Sequence, residues 1–190
     1  MNAPAMSLTG RKTRLSTTGG MDRTALEREL EALHAQSFAW ALVCCGHDRH
    51  EAEDMLQNAY VRVLDGRARF AGRSSFRTWL FGVIRRTAAQ AQRRRRWRAR
   101  LRNGRSIDMV ADAPLAADLC AERSERAVRL RAALERLPDR QQQVLELVFY
   151  HGMTIEESGR IMGITVGTAR THYERGRKAL MRRLQSEDPE

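Results

Sequence analysis

The chain has 190 residues, 42% of them hydrophobic and 30% charged, with 34 Lys and Arg against 23 Asp and Glu for a formal net charge of +11. That length allows one ordinary domain or two small ones, and the positive excess makes a polyanion, nucleic acid first, the expected partner class. No apolar run approaches the roughly 18 residues that span a bilayer, and Met1–Gly20 carries Arg11, Lys12 and Arg14 without the apolar stretch of a secretory signal, so a cytoplasmic protein is expected.

Residues 1–20 are rich in Ser, Thr, Gly and Pro, lack any apolar period, and read as a disordered arm. From Asp22 onward Leu26, Leu30, Leu33, Phe38, Ala41, Leu42 and Cys45 recur at three- and four-residue steps, which predicts one helix ended by Gly46. A second helix, from about Arg49 to Leu64, buries Ala52, Met55, Leu56, Ala59, Tyr60 and Val63 and closes at Gly66. The segment Arg67–Arg73 is a basic loop, after which Ser74 or Ser75 caps a long helix. Its stripe is Phe76, Leu80, Val83, Ile84, Thr87 and Ala91, and its far end becomes an arginine run, Arg93 to Arg96.

Periodicity lapses over residues 103–122, which hold Gly104, Pro114 and several acids, and this is the expected linker. It resumes with Ala127, Leu130, Leu134 and Leu137, meets Pro138, continues with Val144, Leu145, Leu147 and Val148, and stops at Gly152. No strand alternation occurs. The expected fold is all-α, with two small helical domains at residues 21–102 and 123–186.

The densest local signal is Thr154–Leu184. Thr154 precedes Glu156 and Glu157, acids that suit the start of a helix. That helix breaks at Gly163, and Thr165 is a good cap for the next one, giving a helix-turn-helix. At 100° per residue the second helix divides cleanly. Val166, Ala169, Tyr173, Gly176 and Leu180 form a packing face, opposed by Thr168, Thr171, Arg175 and Lys178 with Arg170 and Glu174 at the flanks. Arginine forks, hydroxyls and methyls are what a major groove reads. A solvated basic face is the plainer reading; cap, turn glycine and facial segregation together favour DNA.

Leu134–Leu184 resembles the fourth domain of extracytoplasmic-function (ECF) sigma factors of bacterial RNA polymerase, and Asp48–Leu64 with Arg69–Arg96 resembles their second domain. The resemblance implies a non-enzymatic promoter-recognition subunit. Its second domain docks on the clamp helices of the polymerase's largest subunit through Asp54, Gln57 and Asn58. The loop before Ser74 and the helix after it bind and open the minus-ten element, with Arg73, Ser74, Ser75, Arg77, Thr78, Trp79, Arg85, Arg86 and Gln90 as the candidate surface. The fourth domain sits on the polymerase flap and reads the minus-thirty-five element with Thr168, Arg170, Thr171, Glu174, Arg175 and Lys178. An anti-sigma factor is an implied partner; no cofactor and no small-molecule substrate are.

The residues themselves support the minus-ten assignment, because capturing an unstacked base needs a basic, aromatic or hydroxyl-bearing pocket. Trp79 reads either as a stacking ring or, beside Phe76 and Leu80, as core. Arg86, Gly82 and Gln90 depart from the family's usual residues on this surface, as Asn58 does on the polymerase face, so base preference does not transfer from relatives.

Other chemistry is poorly served. Three cysteines, Cys44, Cys45 and Cys120, are an odd set that argues against a disulfide framework, and Cys44, Cys45, His47 and His50 lack the spacing of a zinc site. No P-loop, nucleophile elbow or metalloprotease motif occurs. The competing readings are a polymerase-independent helix-turn-helix regulator and a serine recombinase; the latter needs an α/β catalytic domain where only helical periodicity is found.

Overall fold

The computed structural model describes residues 21–102 and 121–186, with side chains for 21–98 and 127–186. The expected arm at 1–20, nearly all of the expected linker, and Cys120 lie outside the described residues. Among these residues the chain forms eight helices: α1 Arg23–Ala32, α2 His34–Cys44, α3 Arg49–Leu64, α4 Phe76–Arg102, α5 Ala121–Glu135, α6 Asp139–Phe149, α7 Ile155–Met162 and α8 Val166–Ser186.

Local chemistry explains most boundaries. The Asp22 and Asp48 carboxylates accept from the N–H groups of Ala25 (2.7 Å) and Glu51 (2.9 Å), capping α1 and α3. Ser75 Oγ accepts from the Thr78 N–H at 3.1 Å, so the second of the two candidate serines starts α4. Pro138 stands at the cap of α6 rather than inside its first turn, with an extended ψ of 136°. The single helix expected from Asp22 to Cys45 is in fact two. At Leu33 the backbone reaches φ −96°, ψ 2°, and the break lets α1 pack on α3 as well as on α2.

The helices α2, α3 and α4 enclose an aromatic centre. Trp40 has no exposed surface, stacks on Phe81 at 5.9 Å, and donates its indole N–H to the Phe81 carbonyl at 3.0 Å. Leu56, Val63, Leu80 and Ile84 fill the space around it. The helices α6, α7 and α8 pack more closely, using glycine. A Cβ on Gly176 would meet Leu145 Cδ1 at 3.1 Å and Gln141 Cβ at 3.2 Å, so α8 lies directly on α6 only because that atom is missing. The two groups of helices then meet: α4 packs on α7 and α2 on α6, and Val144, Leu147, Met153, Ile161 and Met162 join the same buried cluster as Trp40 and Phe81. Nothing in the sequence periodicity announces that joint.

Candidate nucleic-acid and polymerase interfaces

The helix-turn-helix is held by three local devices. Thr154 and Glu157 form a reciprocal capping box, with Glu157 N–H to Thr154 Oγ1 at 3.1 Å and Thr154 N–H to Glu157 Oε2 at 2.9 Å. The Thr154 backbone donor, more than any other group, holds the Glu157 carboxyl below the usual range. Ser158 donates back to the Thr154 carbonyl at 2.9 Å, which satisfies a fully buried hydroxyl. Gly163 takes φ +65°, the left-handed turn that a side chain would strain, and Thr165 Oγ1 accepts from the Thr168 N–H at 3.2 Å to open α8.

On α8 the facial division holds from Ala169 onward: Ala169 and Gly176 are buried and Tyr173 and Leu180 partly so, whereas Val166 is 43% exposed and leaves the expected packing stripe. Thr168, Arg170, Thr171, Glu174, Arg175 and Lys178 all lie exposed. The Thr171 hydroxyl donates to the Gly167 carbonyl at 3.0 Å.

Helix α4 divides its candidates differently. Trp79, Arg86 and Gln90 share one stripe and, with Arg62, Arg67 and Arg69, line an open pocket of about 220 Å³ between α3, the basic loop and α4. Trp79 serves both of its readings: it is half-buried in a cluster with Phe70 (5.4 Å) and Phe76 (5.3 Å), and it forms part of the pocket wall. Arg73 is exposed, Ser74 is half-buried, and Ser75 is exposed, its hydroxyl paired with Thr78 Oγ1 at 2.8 Å.

Thr78, Arg77 and Arg85 face the other way, into the joint. Thr78 Oγ1 donates to Glu157 Oε1 at 3.2 Å. Arg85 donates to Gln143 Oε1 at 2.9 Å and to the Met162 carbonyl at 2.7 Å, and Arg77 reaches Met153 Sδ at 3.5 Å. Burial lowers the Arg85 pKa.

On α3, Asp54, Gln57 and Asn58 are exposed on one stripe, with the Asn58 amide donating to the Asp54 carbonyl at 2.8 Å. Val61, 45% exposed, continues that stripe by one turn.

Several residues suited to these surfaces escaped the sequence reading. Arg62 joins the α4 pocket only once α3 folds against it, beside Arg67 and Arg69 of the basic loop. Trp97, 64% exposed among Arg93, Arg94, Arg96 and Arg98, carried a readable signal, an aromatic ring inside a basic run. Arg95 of that run pairs with Glu51.

The thiols of Cys44 and Cys45 are buried, and burial pushes Cys45 up to about 12, far from the thiolate that a metal or an oxidant needs. No group of three or more His, Cys, Asp or Glu side chains placed to hold a metal occurs among the described residues, and no helix among them is long and apolar enough to cross a membrane.

Comparison with known proteins gives these surfaces a common origin. Residues 31–98 match the family described as Sigma-70 region 2, and residues 127–180 match Sigma-70, region 4. The ECF RNA polymerase sigma factor SigC of Mycobacterium tuberculosis is 30% identical over 174 residues, covering 92% of this chain and 90% of that protein. The chain belongs to the ECF sigma factors. As such it directs promoter-specific transcription initiation. SigX of Bacillus subtilis, another ECF RNA polymerase sigma factor, is 31% identical over 141 residues, 73% of each chain. Among solved structures, the sigma factor RpoE of Bartonella quintana, bound to the anti-sigma factor NepR, has the same fold at a TM-score of 0.69 and 22% identity, covering 86% of this chain and 98% of that one. CnrH, in complex with the cytosolic domain of CnrY, matches at 0.61 and 20% identity over 90% of this chain and 94% of its own. In this sigma factor the region 2 match contains the α3 stripe and the α4 pocket, and the region 4 match contains the exposed α8 face from Thr168 to Lys178.

Proposed function

We propose that this sigma factor distributes promoter recognition over three surfaces carried by two modules, residues 21–102 and 123–186, joined by a linker at 103–122. Asp54, Gln57 and Asn58, extended by Val61, dock on the clamp helices of core RNA polymerase. The polar stripe with an apolar end suits a partner helix pair. The pocket of Arg62, Arg67, Arg69, Trp79, Arg86 and Gln90 receives an unstacked base and its phosphates from the opened minus-ten strand, with Arg73, Ser74 and Ser75 at its approach. Arg170, Thr171, Glu174 and Arg175, with Thr168 and Lys178 beside them, read the minus-thirty-five element in the major groove, while α5–α8 rest on the polymerase flap.

The observation that carries this reading is the pocket: a tryptophan and four arginines converge where a helix, a loop and a second helix meet, in the same chain as an exposed recognition helix. A polymerase-independent regulator would need the recognition helix and have no use for the pocket. The chain supplies no chemistry of its own; the polymerase does. An anti-sigma factor is a further proposed partner, since the similar structure of the sigma factor RpoE was solved with the anti-sigma factor NepR. The cytoplasm, where the polymerase works, is its proposed location.

Run-off transcription with purified core polymerase on a library of random promoter templates tests the proposal. Transcripts enriched for a two-part motif are the expected result. Absence of any sigma-dependent transcript, or enrichment of an upstream element alone, overturns it.

A further inference from the structure

We propose that Trp97, with Arg93, Arg94, Arg96 and Arg98 around it, is a fourth surface: a sequence-independent grip on the duplex just upstream of the minus-ten element. Its place on the promoter rests on the assignment of surfaces proposed above.

Trp40 is fully buried and Trp79 is half-buried in the pocket wall, but Trp97 is 64% exposed. A lone ring in solvent is ordinary; the company of this one is not. At 100° per residue Trp79, Arg86, Gln90, Arg93 and Trp97 fall within an arc of about 60°, so Trp97 continues the stripe that lines the pocket. By the same count Arg94 and Arg98 flank the ring on one side, and Arg93 and Arg96 on the other; all four are exposed. Helix α4 carries no Asp or Glu to offset them. A ring between two rows of cations matches a DNA groove, whose walls are phosphates and whose floor is sugar and base edges. The indole offers one N–H donor and an apolar body, too little to tell four base pairs apart. The contact therefore adds affinity without choosing sequence.

Chain length fixes which way α4 points when both elements are engaged. The two promoter elements lie about 25 base pairs apart, roughly 85 Å of duplex. From Arg86 in the pocket, α4 runs another 16 residues, about 24 Å, to its end at Arg102. The 18 residues between α4 and α5 span at most about 60 Å, and the 15 residues of α5 add about 22 Å. With Arg102 toward the minus-thirty-five element, about 60 Å remain to be bridged, which is within that reach. With Arg102 pointing away, about 110 Å remain, which is beyond it. Trp97, 11 residues past Arg86, thus stands about 16 Å, or about five base pairs, on the minus-thirty-five side of the pocket. The strands part toward the start site, so the DNA that Trp97 meets is paired.

Two measurements test the grip and its place. The first is anisotropy of the full chain with a random-sequence fluorescein-labelled duplex of about 20 base pairs, and with the matching single strand, across a salt series. The chain carries Arg170→Ala and Arg175→Ala throughout, so that α8 does not mask the reading. Trp97→Ala is expected to weaken duplex binding about fivefold, as for roughly 40 Å² of ring no longer removed from water, at an unchanged salt slope. Trp97→Phe is expected to recover most of that loss. Arg94→Gln together with Arg98→Gln is expected to flatten the salt slope by about two, as two phosphate contacts go. The second is hydroxyl-radical footprinting of the holoenzyme, with α8 intact, on a template selected by run-off transcription. There Trp97→Ala is expected to lose protection just upstream of the minus-ten element and nowhere else. Unchanged duplex affinity in Trp97→Ala, a larger loss on the single strand than on the duplex, or protection lost downstream instead overturns the proposal. A wild-type chain that yields no run-off transcript removes the sigma reading and the upstream placement with it, and the anisotropy then decides alone whether Trp97 grips duplex.

Discussion

Helices α4 and α8 are both arginine-rich, both begin at a hydroxyl cap, and both carry candidate DNA-reading residues, yet their surroundings differ. Helix α8 packs through one stripe and leaves its entire opposite face in solvent. Helix α4 lies among α2, α3 and α7, so its candidates fall into three environments: an open pocket, an aromatic cluster and a joint with the other half of the chain. A helix with one packing face advertises its function by angle alone. A helix at the centre of a fold does not.

The comparison breaks first at Trp40. Replacing it with alanine removes a fully buried ring and its hydrogen bond to Phe81, and is expected to cost about 3–5 kcal/mol in a denaturant titration. Strand binding should fail with it, while binding of minus-thirty-five duplex by α8 survives. Loss of both together would show that the two helix groups fold as one unit. Next in size, Arg175→Ala is expected to remove about 1–3 kcal/mol of base discrimination, read as run-off from cognate against scrambled upstream elements. An equal loss on both templates would reduce Arg175 to a phosphate contact. Thr154→Ala, which dismantles the capping box of α7 without touching α8, should cost about 1 kcal/mol of thermal stability and leave promoter choice unaltered.

The smallest effect is acid loosening of the joint. Burial, then the Arg77 charge, lowers the His151 pKa to about 4, while the freed ring titrates near 6.5. Between those values the separated form binds the proton more readily, so the joint holds fully above pH 6.5 and weakens as pH falls toward 4. His151 Nε2 has no hydrogen-bond partner in its buried site. His151→Phe should therefore keep the packing and flatten the pH dependence of the scattering radius; a slope that persists in that variant would assign the effect to another group.

Most of the fold was legible in the sequence because its helices are short, amphipathic and punctuated by Asp, Ser, Thr and Gly. The bounds of α3 came from its apolar period and Gly66, and the α7–α8 turn from Gly163. The break at Leu33 was hidden, since apolar spacing runs through it without interruption. The exposed face of α8 was visible for the same reason that its helix was. The α4 pocket was not, because Arg62, Arg67 and Arg69 belong to a different helix and a loop, and periodicity on α4 carries no trace of them. Thr78 and Arg85 were assigned a surface from their chemistry; only packing reveals that the same chemistry also grips α6 and α7.

Helix α4 runs about 40 Å over its 27 residues, but Ala88 is the last buried residue among its described side chains. Beyond it Gln92 still donates to the Cys44 carbonyl at 3.0 Å and Arg95 pairs with Glu51, while Arg93, Arg94, Arg96 and Arg98 stand exposed as an arginine-studded spar. Cations at this end oppose the negative pole of the helix, which helps the spar stay wound. Its field reaches about 10 Å into 0.1 M salt and about 30 Å at one tenth of that concentration. A passing duplex in dilute buffer therefore meets the spar before any base-reading group, and raising the salt shortens that reach.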